Sequence, residues 1–446
     1  MELSKNHYDV IIIGAGFAGV TASRNLSQKG HNTLVLEGRD RMGGRTWYDH
    51  RMGENLEMGG TFIHWFQPNI WSETLRYGLE VEKLIEVNNA YWMTEGKVVP
   101  GKQADEFGLV RQGMKAFTRN IEQYFPRPYE PFFNEAAVQE IDHLSVADKL
   151  QEIKPEVGQE IYDVLDAYWC AYFCTDDLTI PALTQAYRWL ALSYNDWDIM
   201  EDIFELYKFK HGTKSLLESI FNDGSAELRL STPIATVEKT QDGHKLITRG
   251  GDEYTATAVI AAIPINTVNN IEFSPALADE IQEFSREKQS TSGGAKLWVK
   301  VRGEGVTDTF RLTAPSYPVS SMHTQFFDWE TNEAIIMGYV SNARKLNVTD
   351  PEEVQTFLRR WLPGIEVIDS TGHKWNEDEF SQGTWPVLRT NQLTKYGKAV
   401  RQSQDGLYLA GSDYADGWAG FMDGAIESGG TTGERVDAFL KQKAAA

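Results

Sequence analysis

Tyr8-Asp9-Val10-Ile11-Ile12-Ile13-Gly14-Ala15-Gly16-Phe17-Ala18-Gly19-Val20 is the stretch on which the fold turns. Its opening residues form a continuous apolar, β-branched run, the composition of a parallel strand buried on both faces. Gly14, Gly16 and Gly19 follow in G-x-G-x-x-G spacing, and the apolar positions Phe17, Val20 and Leu26 mark a helix that ends at Gly30. A second strand, Thr33-Leu34-Val35-Leu36, runs into Glu37, eighteen residues past Gly19. Each part has a mechanical reason. Gly14 permits the tight turn, Gly16 lets the backbone approach a pyrophosphate, and Gly19 allows helix and strand to pack closely. Ala18 sits in the first helical turn, whose free N–H groups and partial positive charge suit phosphates. Glu37 falls about where an acid bonds a ribose hydroxyl. Glycines alone would be weak evidence; strand, glycines, helix, strand and acid in order specify a dinucleotide site. This unit fits FAD and NAD equally.

The residues beyond Glu37 separate the two. Arg39-Asp40-Arg41-Met42-Gly43-Gly44-Arg45-Thr46 follows the acid directly. Gly43 and Gly44 give close backbone access, while Arg41 and Arg45 carry planar guanidinium groups able to neutralise a pyrophosphate. Gly59-Gly60-Thr61-Phe62-Ile63-His64-Trp65-Phe66-Gln67-Pro68 comes next. Far along the chain, Leu228 to Val237 reads as a strand with a turn at Ser231-Thr232-Pro233, and Ala256 to Ile263 as a buried strand stopped by Pro264. Near the C-terminus a short strand leads into Gly411-Ser412-Asp413, and a helix is expected to begin around Met422.

Together these segments resemble the flavin-containing amine oxidases, the monoamine oxidase family, over nearly the whole chain. Within it the closest resemblance is to bacterial nicotine and pseudooxynicotine oxidases, through residues 59–68, Arg76-Tyr77-Gly78-Leu79 and Phe125-Pro126-Arg127-Pro128-Tyr129-Glu130-Pro131. The resemblance implies an α/β fold: a Rossmann-like FAD-binding domain of glutathione-reductase type with an inserted α+β substrate domain, a mixed sheet flanked by helices. It divides the chain into FAD-binding segments 1–78, 207–285 and 385–446, separated by substrate-domain segments 79–206 and 286–384. FAD is then expected to be held by Gly14, Gly16, Ala18, Gly19, Glu37, Arg39, Gly43, Gly44, Arg45, Gly59, Gly60, Thr61, Val237, Gly411, Ser412, Asp413, Phe421 and Met422.

The resemblance also assigns the chemistry. Lys296, in Thr291-Ser292-Gly293-Gly294-Ala295-Lys296-Leu297-Trp298, matches a lysine that the family bonds through water to flavin N5. Strand alternation places Lys296 opposite to Leu297 and on the side of Trp298. Trp385 and Phe421 match the aromatic pair that flanks the amine before the flavin. Phe62, His64 and Trp65 are further candidates for the substrate pocket, His64 being equally readable as a core histidine. Thr384 stands where covalent members carry a flavin-linked cysteine, so non-covalent FAD is expected. Phe421 stands where some nicotine-oxidising members are polar, which argues against nicotine itself as substrate. The family's double glycine before a helix is here His211-Gly212.

The implied reaction oxidises a small primary or secondary amine, alkaloid-like or aryl-alkyl, to an imine. Hydride passes to flavin N5, and dioxygen or another acceptor takes the electrons. Rivals are an amino-acid oxidase or a carbon–carbon desaturase of the same fold, or a non-catalytic flavin-binding interaction protein. An amino-acid oxidase would want an arginine facing the flavin, and none stands out in the sequence.

Composition fits this picture. The 446 residues are 41% hydrophobic and carry a formal net charge of −21, which disfavours nucleic acid and anionic membranes as partners. Cys170 and Cys174, spaced for one helix face, read as buried reduced thiols, and no metal-ligand cluster completes a site around them. The first residues lack a secretory pattern, and no apolar run approaches the ~20 residues of a membrane span. A cytoplasmic protein with no metal is expected, with a homodimer left open.

Overall fold

The computed structural model describes residues 7–289, 293–315 and 317–445; Thr291, Ser292 and the first six residues, read above, lie outside them. The opening strand spans His7–Ile13, with Val10 to Ile12 wholly buried. It pairs in parallel with Thr33–Leu36 on one side and Glu253–Ala261 on the other. Glu227–Arg229 extends the sheet beyond Thr33–Leu36. The strand Glu253–Ala261 forks. Its first residues pair antiparallel with His244–Thr248, while Val259 to Ala261 pair in parallel with Leu407–Leu409. The region expected as one strand from Leu228 to Val237 is two, Glu227–Arg229 and Ile234–Lys239, because the turn at Ser231, at a φ of 52°, separates them.

The helix Phe17–Gln28 packs against the C-terminal helix Met422–Ala445. A Cβ on Gly19 would lie 2.0 Å from the Gly14 carbonyl oxygen, and one on Gly429 2.2 Å from the Ala18 carbonyl oxygen. These backbones cannot retreat without breaking strand or helix, so overpacking there costs ~1–3 kcal/mol or more. Gly19→Ala is therefore expected to lower the melting temperature by several degrees in a thermal melt. An unchanged melt would remove this close approach from the account.

A second, mostly antiparallel sheet runs in the order Ile365–Lys374, Ala295–Gly303, Glu333–Val340, Val319–Asp328, Phe310–Thr313, Asn89–Thr94 and Lys97–Lys102. Helices Gln103–Phe117 and Gln159–Phe173 cover its far part. The latter is apolar on nearly every side from Tyr168 to Phe173, as a helix buried all round must be. It stops at Phe173, and Cys174 caps it in a left-handed conformation at a φ of 50°. Cys170 and Cys174 are both buried and unbridged, but only Cys170 belongs to the helix proper. The fold is thus α/β, a Rossmann-like layer joined to a mixed sheet flanked by helices.

Candidate active site

A long cavity follows the carboxyl ends of the parallel strands, where open α/β sheets bind ligands. It begins at Gly14, Gly16, Ala18 and Glu37 and ends at Lys296, Trp385 and Phe421. At the near end, Glu37 accepts the Ala15 amide at 2.8 Å and the Arg39 amide at 2.9 Å, tying both glycine loops to one carboxylate. No side chain caps the helix at Gly16, and a Cβ there would meet nothing closer than the Gly43 carbonyl oxygen at 3.9 Å. The helix N-terminus therefore opens onto the cavity beside Gly43 and Gly44, with the backbone geometry that a pyrophosphate needs.

The arginines divide their roles. Arg39 pairs with Asp378 and donates to Ser381 at 2.9 Å. Burial opposes the Asp378 charge, but His373 and the Arg39 guanidinium prevail and hold its carboxyl down at about 2. Arg45 pairs with the buried Asp413 and donates to Ser412 Oγ and the Thr384 carbonyl, both at 3.0 Å. Arg41 departs from expectation. It donates to the carbonyls of Met42, Gly44 and Thr46 and lies over the Trp47 ring, so it braces the turn and does not line the cavity.

Five other expected positions, Gly19, Val237, Asp413, His64 and Trp65, stand off the cavity, Gly19 because it packs against the Gly14 backbone. Val237 is buried against the hairpin core, and Thr232, Pro233 and Ile234 line the cavity instead. Three residues of strand carry the chain roughly 10 Å onward. Asp413 is turned to Arg45 and to the Ile265 amide at 3.0 Å, leaving Gly411 and Ser412 at the wall. His64 and Trp65 lie beyond the bend where Phe62 bridges Lys208 and the Ile63 amide meets the Tyr207 carbonyl. Their rings pack 3.8 Å apart and against Tyr207. His64 is a core histidine: burial lowers its pKa to about 4, Nδ1 accepts the Phe66 amide, and Nε2 has no partner among the described residues.

At the far end Gly59, Gly60, Thr61 and Phe62 face Lys296. Lys296 is 6% exposed; its Nζ donates to the Gly59 carbonyl at 2.9 Å and to Thr61 Oγ1. Strand alternation sets it beside Trp298, as expected, with Nζ 5.6 Å from that ring's centre. Burial pushes the lysine's pKa well below its usual value, against the pull of Glu57. Trp385 is fixed by its indole N–H, which donates to the Tyr172 carbonyl at 3.0 Å, and meets Tyr339 edge-on. Phe421 meets Phe204 edge-on at 5.1 Å.

Tyr172, Phe204 and Tyr339 were not anticipated from sequence, nor were Phe380 and Arg249 nearer the mouth. Tyr339 is the cross-strand partner of Lys296, a fact that only strand register reveals. Phe380 had a local signal: it stands in the stretch that leads to Thr384, and its ring lies 2.7 Å from where a Cβ on Gly38 would be.

Thr384 lines the cavity, and Cys174 is nearer to it than sequence distance suggests. A Cβ on Gly294 would touch Thr384 at 2.4 Å and Cys174 Sγ at 2.9 Å. The Cys174 thiol is off the cavity, donates to the Val340 carbonyl at 3.2 Å, and is pushed up to about 12 by burial. A thiol so held stays protonated and inert.

A glycine loop, the acid Glu37 and a buried lysine before an aromatic wall thus share a single cavity. Residues 17–437 match the family model for flavin containing amine oxidoreductase, and the chain belongs to that family of oxidoreductases. It is 36% identical to a pseudooxynicotine dehydrogenase of Pseudomonas sp, over 98% of this chain and 87% of that protein. Nicotine dehydrogenase of Pseudomonas putida is 32% identical over 97% of this chain and 89% of that protein. Human flavin-containing amine oxidase B is 24% identical over 95% and 85%. In fold the chain is similar to putrescine oxidase bound to putrescine, with a TM-score of 0.79 at 20% identity, covering 97% of this chain and 99% of that one. Cyclohexylamine oxidase from Brevibacterium oxydans matches with the same TM-score at 19% identity, again over 97% and 99%. Among the described residues, no helix is long and apolar enough to cross a membrane.

Proposed function

We propose that this flavoprotein oxidises a small primary or secondary amine of alkaloid-like or aryl-alkyl type to an imine, which hydrolyses in water. The observation that carries the reading is the continuity of the cavity from Gly16 and Glu37 to Lys296, Trp385 and Phe421. FAD fits this lining: an uncapped helix N-terminus for its pyrophosphate, Glu37 for its ribose, and Gly59 to Thr61 with Lys296 for its ring end. When bound, the flavin supplies the hydride acceptor at N5, with dioxygen as the default final acceptor. The protein supplies position and a dry pocket. Trp385 and Phe421, backed by Tyr339 and Phe204, hold the amine and exclude water. Lys296 holds a proton near the ring end through Thr61 and the Gly59 carbonyl.

FAD is held without a covalent bond in this reading, since Thr384 offers no thiol and Cys174 is buried off the cavity. The two large sheets support the division into FAD-binding segments 1–78, 207–285 and 385–446 and substrate segments 79–206 and 286–384, with Val81–Lys83 pairing across the boundary to Tyr207–Phe209. The two buried, unbridged thiols suit a cytoplasmic setting. The relatives named for pseudooxynicotine and nicotine support an alkaloid-like amine. An amino-acid oxidase finds less support. The arginines on the cavity, Arg39, Arg45 and Arg249, are each paired with Asp378, Asp413 and Glu379.

Anaerobic mixing of the purified holoprotein with a panel of primary and secondary amines tests the proposal. Amines are expected to bleach the oxidised flavin band, and acid precipitation to leave the yellow cofactor in the supernatant. Bleaching by amino acids alone, or by nothing, would overturn the amine reading. A yellow pellet would overturn the non-covalent one.

A further inference from the structure

A second cavity, of about 190 Å³, lies behind Lys296, on the far side of Thr61 from the aromatic wall. Thr61 lines both cavities and is the partition between them. A single water needs only ~10–15 Å³ of such space, so this one has room for several. Its lining mixes the aromatic side chains Tyr48, Phe209, Trp298 and Phe326 with charged ones: Glu57 at the inner end, then Lys208 and Glu82, with Glu54 and Lys210. Lys208 pairs with Glu82 at 3.3 Å, and Lys210 pairs with Glu80 at 2.6 Å near the surface.

Glu57 is 6% exposed, and its carboxylate accepts the Thr213 amide at 2.6 Å and the Thr213 hydroxyl at 3.0 Å. It therefore anchors the start of helix Thr213–Asn222. That structural duty leaves unexplained why a carboxylate, where a neutral acceptor would serve, is buried within electrostatic reach of Lys296. Burial pushes the Glu57 carboxyl up and Lys296 down, and each opposes the effect on the other. Lys208 also acts on both, and Glu205 and His323 interact electrostatically with Lys296 as well.

We propose that the cavity behind Thr61 is the route by which solvent protons reach Lys296, and that Glu57 is the positioning residue that sets the lysine's charge state. This rests on the amine-oxidase reading above and adds to it a second, substrate-free entrance. The path runs from the Lys208–Glu82 mouth past Glu57 to Thr61 Oγ1, which accepts from Lys296 Nζ. With dioxygen as acceptor, hydrogen peroxide needs two electrons and two protons: the reduced cofactor would give both electrons and one proton, and Lys296 would lend the second and regain it from solvent through the cavity.

The test uses holoenzyme and two readouts. One is the pH midpoint at which trace acetic anhydride labels Lys296, followed by peptide mass spectrometry. The other is the pH dependence of reoxidation, in aerated buffer, of flavin reduced by light without any amine. Glu57→Gln keeps an acceptor for Thr213 and removes the charge; it is expected to move both midpoints down by about 1–3 pH units. Lys208→Met removes the opposing cation and is expected to move both up. Glu57→Asp is expected to restore the wild-type midpoints in part. Midpoints within about 0.3 units of wild type in Glu57→Gln would overturn the proposal, even with a lower melting temperature, because that pattern marks a helix anchor only. Where Glu57→Gln fails to retain FAD, Lys208→Met decides alone: an upward shift supports the proposal and no shift overturns it. Failure of the amine panel leaves these readouts intact, because neither needs an amine.

Discussion

Arg45→Ala is expected to cost the protein both stability and its cofactor. The Arg45 guanidinium joins three segments that are remote in sequence: the loop after Glu37, the Thr384 carbonyl, and the Ser412-Asp413 turn. The Asp413 side chain is only 2% exposed. Without Arg45 its carboxylate keeps the Ile265 amide and the Ser412 hydroxyl as donors but no counter-charge. Removing one partner of a buried ion pair costs ~3–5 kcal/mol, and the partial exposure of Arg45 argues for about 3. A fall in melting temperature on the order of 5 °C is expected in the apoprotein, with FAD affinity reduced at least tenfold by titration. Arg45→Lys restores charge without the planar fork and is expected to fall between. Wild-type melting and wild-type FAD binding in Arg45→Ala would dismiss the ion pair as the clasp of the site.

Lys296→Met is expected to separate cofactor binding from turnover. Among the described residues the side chain bonds only to the Gly59 carbonyl and Thr61 at the cavity's far end, so FAD retention should persist. A positioned proton donor or acceptor contributes typically 10²–10⁴-fold, and a loss of about 10²-fold in flavin reoxidation is expected in stopped flow. Because burial holds the lysine below its ordinary range, the wild-type rate should show an inflection below the usual lysine pH. The Met variant should lack it. Reoxidation within about twofold of wild type, with the inflection retained, would take Lys296 out of the mechanism.

How much was legible in the sequence depended on distance along the chain. The glycine turn, its helix and Glu37 are contiguous, and their order carries geometry because each local conformation is dictated by a neighbour. Gly14, at a φ of 103°, shows the constraint directly. Lys296 was reachable through its match to the family's lysine, and strand alternation gave only the side it faces. The errors lie where a short shift in space matters. Val237 was placed on the site although the wall falls at Thr232 to Ile234. His64 and Trp65 were candidates because Phe62 is a wall residue, but the chain bends outward one residue later. Cys174 seemed remote from Thr384 and is its neighbour across Gly294.

The sequence by itself determined a glycine turn, helix and acid at the end of a parallel sheet, a local geometry that suits a nucleotide, because a tight turn, a close approach and a helix N-terminus are local properties of a few adjacent residues. Only the tertiary structure decided which aromatic rings line the cavity and what surrounds Lys296. Tyr339 stands beside Lys296 through strand register and meets Trp385 edge-on, Tyr172 and Phe204 arrive from separate helices, and Glu57 comes from a hairpin far from Lys296 in the chain. Dielectric surroundings and ring contacts are set by what packs against a residue, and that information is spread over segments with no pattern of their own.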